Sequence, residues 1–148
     1  MTTQVAPNMI ANGPAFSAYQ STLQSVPNST STKIRFQTTE FDTTTAYDNT
    51  TNYRFQPTVA GYYQVNGAVF FASAAASVVV SVYKNGANWK SGPQTPSTVN
   101  SAAVGALVYL NGTTDYIELY AYHVFGSALN TGASAGATYF QASLVGLA

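Results

Sequence analysis

The feature that most constrains this sequence is an apolar residue at every second position in short runs. In "SVVVSVYK" (77–84), Val78, Val80 and Val82 fall on one side of an extended chain, and "YYQVNGAVFF" (62–71) repeats the alternation. Successive side chains of a β-strand point to opposite faces, so this period of two predicts strands. Gly, Pro and Asn separate the runs and are typical of turns.

Helical patterns are nearly missing. The Ala-rich "FFASAAASVVV" (70–80) is short, is flanked by aromatic and β-branched residues and leads into a valine run, so it also predicts strand. Asn85-Gly86 is the strongest hairpin-turn signal. The polar segment 43–52 and the small-residue segment 126–137 are predicted to be loops. About eight to ten short antiparallel strands without crossover helices must close as a sandwich or barrel.

Three residues interrupt the strand-forming stretch that begins at Arg54. We expect Pro57 to end an outer strand and Gly61 to allow a tight turn into the next strand. Gly67 is expected to let another backbone or an aromatic ring approach closely.

Charged residues make up only 7% of the 148 residues, against about 25% in an average domain, and five acidic residues balance five basic ones. This composition excludes the basic surface of a nucleic-acid binder and the polybasic patch of a membrane-surface protein. The absence of cysteine excludes disulfides, thiol catalysis and thiolate metal sites.

The N-terminal stretch lacks the basic and apolar regions of a secretory signal, and no apolar run approaches the roughly 20 residues of a membrane helix. We therefore expect a protein made in a cytoplasm, used without processing and not inserted into a membrane.

Many of the predicted strands carry apolar residues on both faces. One face fills the core of the protomer, and the other predicts an aromatic, weakly charged contact between copies of the chain. The candidate contact residues are Tyr62, Phe70, Tyr83, Tyr109, Tyr120 and Tyr122. The alternative is a thicker sandwich that encloses both faces in a monomer.

Four elements in order carry a resemblance to a known family. They are "PAFSAYQS" (14–21), "YRFQPTVAGYYQVNGAV" (53–69), "VVVSVYKNG" (78–86), and "ALVYLNGTTDYIELYAY" (106–122) with "ATYFQASLVG" (137–146). From about Pro14 onward the chain resembles the C1q-like globular head domain of the tumour-necrosis-factor-like superfamily. It departs from that family in a turn one residue longer before Asp115, in the absence of cysteine and in the lack of a collagen-like stem.

The resemblance implies an all-β, ten-stranded antiparallel jelly-roll sandwich that assembles as a homotrimer, without catalytic residues or cofactors. Members of this family bind proteins, glycans or other ligands through the outer face and loops. The Thr, Ser, Asn and Ala richness looks more like the C1q-like structural proteins of tailed bacteriophages. Those proteins lie on the virion as head decorations, head fibres or tail-fibre tips.

The chain divides into a predicted jelly-roll domain (14–148) and an extended N-terminal arm (1–13). The arm has little regular pattern but contains three apolar residues, Val5, Met9 and Ile10. Because no shaft or anchor domain is evident, we expect the chain to dock on capsid or tail proteins of a virion by its own surface or by this arm.

His123 is the only histidine and lies in an alternating strand, so we predict a hydrogen-bonded structural residue rather than a catalytic or zinc-binding one. Asp115 and Glu118 have opposite strand parity and form a poor acid–base pair. An enzyme is therefore the least favoured hypothesis.

Glu40, Asp42 and Asp48 could supply oxygen ligands to calcium, although ordinary solvated loop acids are the simpler interpretation. Trp89 could stack on a host surface glycan, as a fibre-tip or adhesin module would require, or could lie buried at a subunit contact. The segments 92–101 and 126–136 would complete such a glycan site.

Overall fold

The computed structural model describes residues 13–95 and 98–148, which form thirteen β-strands and no helix. Neighbouring strands pair antiparallel throughout the described ranges. Two sheets pack face to face, and a two-stranded pair joins β2 (Ser25–Val26) to β12 (Leu129–Asn130). The described part of the chain is therefore an all-β sandwich, as the alternation of apolar residues predicts.

The first sheet has five strands. In order across the sheet they are β10 (Val99–Asn111), β7 (Ala60–Ala75), β13 (Tyr139–Leu147), β1 (Ala15–Tyr19) and β4 (Thr38–Asp42).

The second sheet has six strands. The path runs through β5 (Tyr47–Asp48), β6 (Arg54–Phe55), β11 (Ile117–Val124), β8 (Ser77–Lys84) and β9 (Ala87–Ser91), and β3 (Thr32–Lys33) also pairs with β11.

The predicted hairpin turn is confirmed, and so is the prediction that the Ala-rich segment is not helical. Asn85 and Gly86 have φ values of 53° and 79°, the two positive angles of a two-residue hairpin, and they join β8 to β9. The Ala-rich segment is extended: β7 ends at Ala75, β8 begins at Ser77 in the other sheet, and Ala76 is the one residue between them. The Ala76 amide donates to the Val124 carbonyl at 2.8 Å, which holds this link against β11.

Five of the thirteen strands contain only two residues, which is why the structure has more strands than the ten expected. The sequence predicts loops for the segments 43–52 and 126–137, but the structure forms β5 and β12 within them. The predicted strand 31–42 is interrupted, because residues 34–37 leave the ladder and Ile34 and Phe36 insert fully buried side chains into the core.

An aromatic cluster joins the two sheets. The Phe16 ring stacks on Tyr47 and on Phe55, each at 4.6 Å between ring centroids, and meets the edge of Phe140 at 5.0 Å. Phe16 and Phe140 come from the five-stranded sheet, whereas Tyr47 and Phe55 come from the six-stranded sheet. All four rings are buried, so the cluster fixes which side of each sheet faces inward.

Gly67 allows the close approach that its sequence position predicts, but the group that approaches is a leucine side chain. A Cβ at Gly67 would lie 2.6 Å from both methyl carbons of the fully buried Leu119, which belongs to the opposite sheet. Gly61 does not form the expected turn. It lies inside β7, where a Cβ would lie 2.5 Å from the Gly146 carbonyl oxygen.

Replacing Gly67 by Ala should lower the free energy of unfolding by about 1–3 kcal/mol, because the added methyl overlaps Leu119 in a filled core. Combining Gly67→Ala with Leu119→Val should cost less than the sum of the two single changes, since the shorter side chain makes room. Urea denaturation measures both quantities. Gly136→Ala is the control, because a Cβ there meets nothing within 4 Å. Strictly additive changes at 67 and 119 would contradict this account of the contact.

Candidate functional site

The two sheets differ in charge. β1, β7, β10 and β13 contain no Asp, Glu, Lys or Arg, and in the five-stranded sheet such residues occur only in β4. Every strand of the six-stranded sheet carries one charged residue. These are Lys33, Asp48, Arg54, Lys84, Lys90 and Glu118. The outward side of β1, β7, β10 and β13 is therefore the candidate functional surface, and we call it the uncharged face.

Large apolar side chains stand on one end of the uncharged face. Tyr62 and Tyr109 are directly opposite each other on β7 and β10, with their ring centroids 5.6 Å apart. Leu107 follows on the same side of β10 and is 54% exposed. A leucine so exposed, beside two exposed tyrosines, forms a patch of the kind that marks contact surfaces.

Small residues occupy the middle of the uncharged face. Ala68 lies opposite Ala103, and Gly105 lies opposite Asn66 in the same pair of strands. Tyr139 borders the two shallow depressions that these small residues leave. The uncharged face is therefore depressed in its middle, where the side chains are small, and raised at one end, where they are large. A second surface can interlock with this shape through its own side chains.

A short polar row crosses the uncharged face toward β4. The Gln141 amide donates to the Ser17 hydroxyl at 3.1 Å, and Ser17 donates to a Glu40 carboxylate oxygen at 2.6 Å. Ser17 is fully buried, so this chain of bonds satisfies a hydroxyl that would otherwise be unpaired.

The six aromatic residues predicted at a subunit contact lie on opposite sides of the sandwich. On the uncharged face they are Tyr62, Phe70 and Tyr109. On the outward side of the six-stranded sheet they are Tyr83, Tyr120 and Tyr122. Because the two outward faces point in opposite directions, one flat contact can include only one of these sets.

Two of the three outward tyrosines of the six-stranded sheet are packed against each other within the protomer. The rings of Tyr83 and Tyr120 stack at 3.8 Å with 15° between their planes. Burial raises the pKa of the Tyr120 phenol, and the neighbouring Glu118 carboxylate raises it further. Glu118 itself pairs with Lys33 at 3.0 Å. On this outward face, Tyr83 and Tyr120 are therefore packed against each other, and Glu118 is paired with Lys33.

Phe41 and Val145 are among the contributors to the exposed apolar surface of the five-stranded sheet that sequence reasoning missed. Phe41 on β4 is 53% exposed, and Val145 lies at the bulge of β13 with 59% exposure. Neither residue stands in an obvious alternating run. The signal that could have found them is the absence of charge along the neighbouring strands.

Lys84 ties the edge of the six-stranded sheet to the uncharged face. Its Nζ lies 2.9 Å from the Asp115 carboxylate and donates to the Tyr109 carbonyl at 2.8 Å. The same Nζ lies 5.6 Å from the centre of the Tyr109 ring and 5.7 Å from the Trp89 ring. Trp89 is 45% exposed on β9, an edge strand whose five residues are all exposed.

Asp115 is the acidic partner in this set of contacts around Lys84, which we call the Lys84 junction. Burial alone would raise the pKa of its carboxyl, but hydrogen bonds from the Asn85 amide and from Lys84 hold the pKa below its ordinary value. The Asn85 bond is 2.7 Å long, and the Asn111 backbone amide donates to the other carboxylate oxygen at 3.1 Å. The carboxylate therefore stays ionised inside the junction.

The hydrogen-bonded histidine predicted from the sequence is confirmed. His123 is fully buried, and its Nε2 donates to the Val26 carbonyl at 2.9 Å. Its ring meets the edge of Phe71 at 5.1 Å. A side chain enclosed in this way does not reach the surface.

The three candidate calcium ligands accept hydrogen bonds from their own loops and from a neighbouring strand. Asp48 accepts backbone amides of 50–52, which holds the pKa of its carboxyl well below the usual range. Asp42 accepts two backbone amides, and Glu40 accepts the Ser17 hydroxyl. Within 13–95 and 98–148, no group of three or more His, Cys, Asp or Glu side chains could hold a metal ion.

No helix in the described ranges is long and apolar enough to cross a membrane. No protein-family model and no curated protein sequence matches the chain.

Solved structures do match. Eiger TNF from S. frugiperda aligns with a TM-score of 0.69 at 10% identity, over 92% of this chain and 95% of that one. The globular domain of zebrafish complement 1qA aligns with a TM-score of 0.59 at 16% identity, over 89% and 97%. The PRD1 vertex protein P5 aligns with a TM-score of 0.66 at 14% identity, over 90% and 73%.

The chain has a TNF-like jelly-roll fold. Identities this low show the shared fold alone. The structural alignments confirm the all-β jelly roll that the sequence motifs imply.

Asp115→Asn tests the junction through its dependence on pH. The folded pKa lies below the value of 3.8 expected for an unfolded chain, so the ionised carboxylate stabilises the fold above that value. This stabilisation is lost as the pH falls through the folded pKa. We expect Asp115→Asn to be less stable at neutral pH and to lose less stability on acidification below about pH 4. Urea denaturation over a pH series measures this, and parallel curves for variant and wild type would contradict it.

Proposed function

We propose that this chain is a non-enzymatic structural protein of a bacteriophage virion, a homotrimeric head decoration or cement protein that docks on the capsid surface. The observation that carries the proposal is the uncharged face. Of nine exposed large hydrophobic residues in the described ranges, six belong to the five-stranded sheet. They are Phe41, Tyr62, Leu107, Tyr109, Val145 and Leu147.

Physical chemistry favours self-association through this face. Bringing two charged surfaces together requires the removal of water from each ion, which costs several kcal/mol per ion even in a paired geometry. The strands β1, β7, β10 and β13 carry no ions, so contact between copies removes water mainly from apolar and amide groups. The family that the sequence resembles assembles as a trimer, which supports a three-fold arrangement over a dimer.

The virion assignment rests on two supports. The sequence resembles the C1q-like structural proteins of tailed bacteriophages, and the PRD1 vertex protein P5 shares the fold. We therefore propose that the protein lies on the virion, with capsid or tail proteins as its partners.

The proposed docking element is the arm, residues 1–13. Its apolar residues Val5, Met9 and Ile10 lie outside the described residues, so their role rests on the sequence alone. An extended arm with a few apolar side chains could bind along a neighbouring capsid protein, while the domain of residues 14–148 forms the trimer.

The second candidate function is a fibre-tip or adhesin module that binds a host cell-surface glycan or protein. Trp89 supports it, because its ring is 45% exposed and stands between Lys84 and Lys90, each 5.7 Å from the ring centre. An exposed indole of this kind can stack on a sugar ring. Glycan binding that disappears in Trp89→Ala would favour this role over that of a cement protein.

Leu107→Lys tests the trimer. A lysine at position 107 would bury an unpaired charge in the contact, so we expect light scattering after size-exclusion chromatography to show the mass of a single chain. Wild type should show the mass of three chains.

The matched control is Leu23→Lys. Leu23 is 56% exposed, almost the same as Leu107, but it does not belong to the five-stranded sheet. This variant should keep the trimer mass. A single-chain mass for wild type at micromolar concentration would refute the trimer.

Deleting residues 1–13 tests the docking role of the arm. We expect the truncated protein to keep the trimer mass and its thermal stability, because the jelly-roll strands begin at Ala15. It should no longer bind purified virions that lack this protein in a co-sedimentation assay. Undiminished binding would show that the docking site lies on the domain.

A further inference from the structure

A polar pocket of about 520 Å³ lies beside the short strands β5 and β6. Residues 45–50, Asn52, Arg54, residues 56–58 and Thr113 line it. Its volume falls within the range of about 300–1,000 Å³ that is usual for small-molecule sites. The pocket belongs neither to the uncharged face nor to the surroundings of Trp89.

Arg54 is the cation of this pocket. It is half-buried, and its guanidinium carbon lies 4.3 Å from the centre of the Tyr116 ring, which fixes the plane of the group. Throughout 13–95 and 98–148 the ion pairs are Lys33–Glu118 and Lys84–Asp115, and the Arg54 guanidinium makes no hydrogen bond there. A held guanidinium of this kind still has its N–H donors available for a ligand.

Asp48 stands opposite Arg54 in the β5–β6 pair but does not neutralise it. Its two carboxylate oxygens accept the backbone amides of 50–52, the Thr50 hydroxyl and the Asn52 side-chain amide. The carboxylate is therefore bound within its own loop, which leaves the Arg54 donors unused.

The rest of the lining supplies hydroxyl and amide groups. The side-chain hydroxyls of Thr45, Thr58 and Thr113 form no hydrogen bond within the described part of the chain, and all three residues are exposed. Hydroxyl groups both donate and accept, so they suit a ligand that carries many hydroxyls of its own.

The backbone around the pocket is held in an unusual conformation. Thr45 and Tyr53 have φ values of 55° and 50°, in the left-handed region that β-branched and bulky residues rarely adopt. Strain of this kind persists where the surrounding structure enforces it, and it clusters at functional sites. Thr45 lies between two backbone amides, of Thr44 and Tyr47, that donate to Asp42, and Tyr53 directly follows the 50–52 turn that is bonded to Asp48.

We propose that this pocket binds a saccharide that carries a carboxylate, such as a uronic or sialic acid unit. Arg54 pairs with the carboxylate through two parallel N–H donors, the geometry in which arginine binds this group best. The threonine hydroxyls bind the sugar hydroxyls. A phosphate dianion is disfavoured, because Arg54 supplies the single positive charge of the lining and Asp48 lies beside it. The proposal goes beyond the structural role and does not depend on it.

Titration of the full-length protein tests the site. The probes are galacturonic acid trisaccharide and 3′-sialyllactose, with neutral maltotriose, neutral lactose and inorganic phosphate for comparison, and binding is followed by backbone amide shifts in NMR spectra. We expect at least one acidic saccharide to shift amides of residues 45–58 and to bind at least about tenfold more tightly than its neutral counterpart. Arg54→Gln should abolish this difference.

Arg35→Gln is the matched control, because Arg35 is the other arginine of the chain and does not line the pocket. It should bind the acidic saccharide as wild type does, and so should Trp89→Ala. If Arg54→Gln does not fold, the positions of the shifted amides in wild type decide the question.

Failure of both acidic probes to bind, or shifts that lie outside the pocket, would overturn the proposal. Binding lost in Trp89→Ala and kept in Arg54→Gln would also overturn it, and would place the sugar at the tryptophan. The trimer mass is measured separately, so the structural proposal and this one can fail independently.

Discussion

The stacking of aromatic rings between the two sheets is the contact on which the rest of the structure depends. Phe16 packs against Tyr47 and Phe55 from the opposite sheet, and this packing determines which side of β1 points inward. The pleat then leaves every alternate residue on the other side. The uncharged face is thus a consequence of core packing: once Val65 and Val108 are buried, Gln64 and Leu107 must face outward.

The distribution of charge separates two kinds of surface on one small domain. The uncharged face of β1, β7, β10 and β13 offers an uneven surface without ions, which suits permanent contact with identical copies. The six-stranded sheet and its loops keep the ion pairs, the Lys84 junction and the pocket around Arg54. A trimer that covers the first surface would leave the second available to other molecules, so assembly and ligand recognition need not compete for the same residues.

The sequence predicts the long elements well because their signals are local. Alternating valines mark β8, and Asn85-Gly86 marks its hairpin. Strands of two residues are invisible to such patterns, since β5 and β12 exist only through pairing with distant segments. Alternation also cannot tell which sheet a strand will join, so the predicted tyrosine contacts are divided between opposite faces. The Arg54 pocket is formed by residues of separate segments of the chain, and no sequence motif predicts it.

The place of β13 has a consequence for how the protein forms. This strand, the last of the thirteen, lies between β7 and β1 and bonds to both. Until it is present, the five-stranded sheet exists as two unconnected halves, β10 with β7 and β1 with β4. The strand β13, which joins the two halves, is therefore synthesised after the other twelve strands. Until then the growing chain exposes unpaired, uncharged strand edges. The five-stranded sheet can therefore close only after β13 has been synthesised.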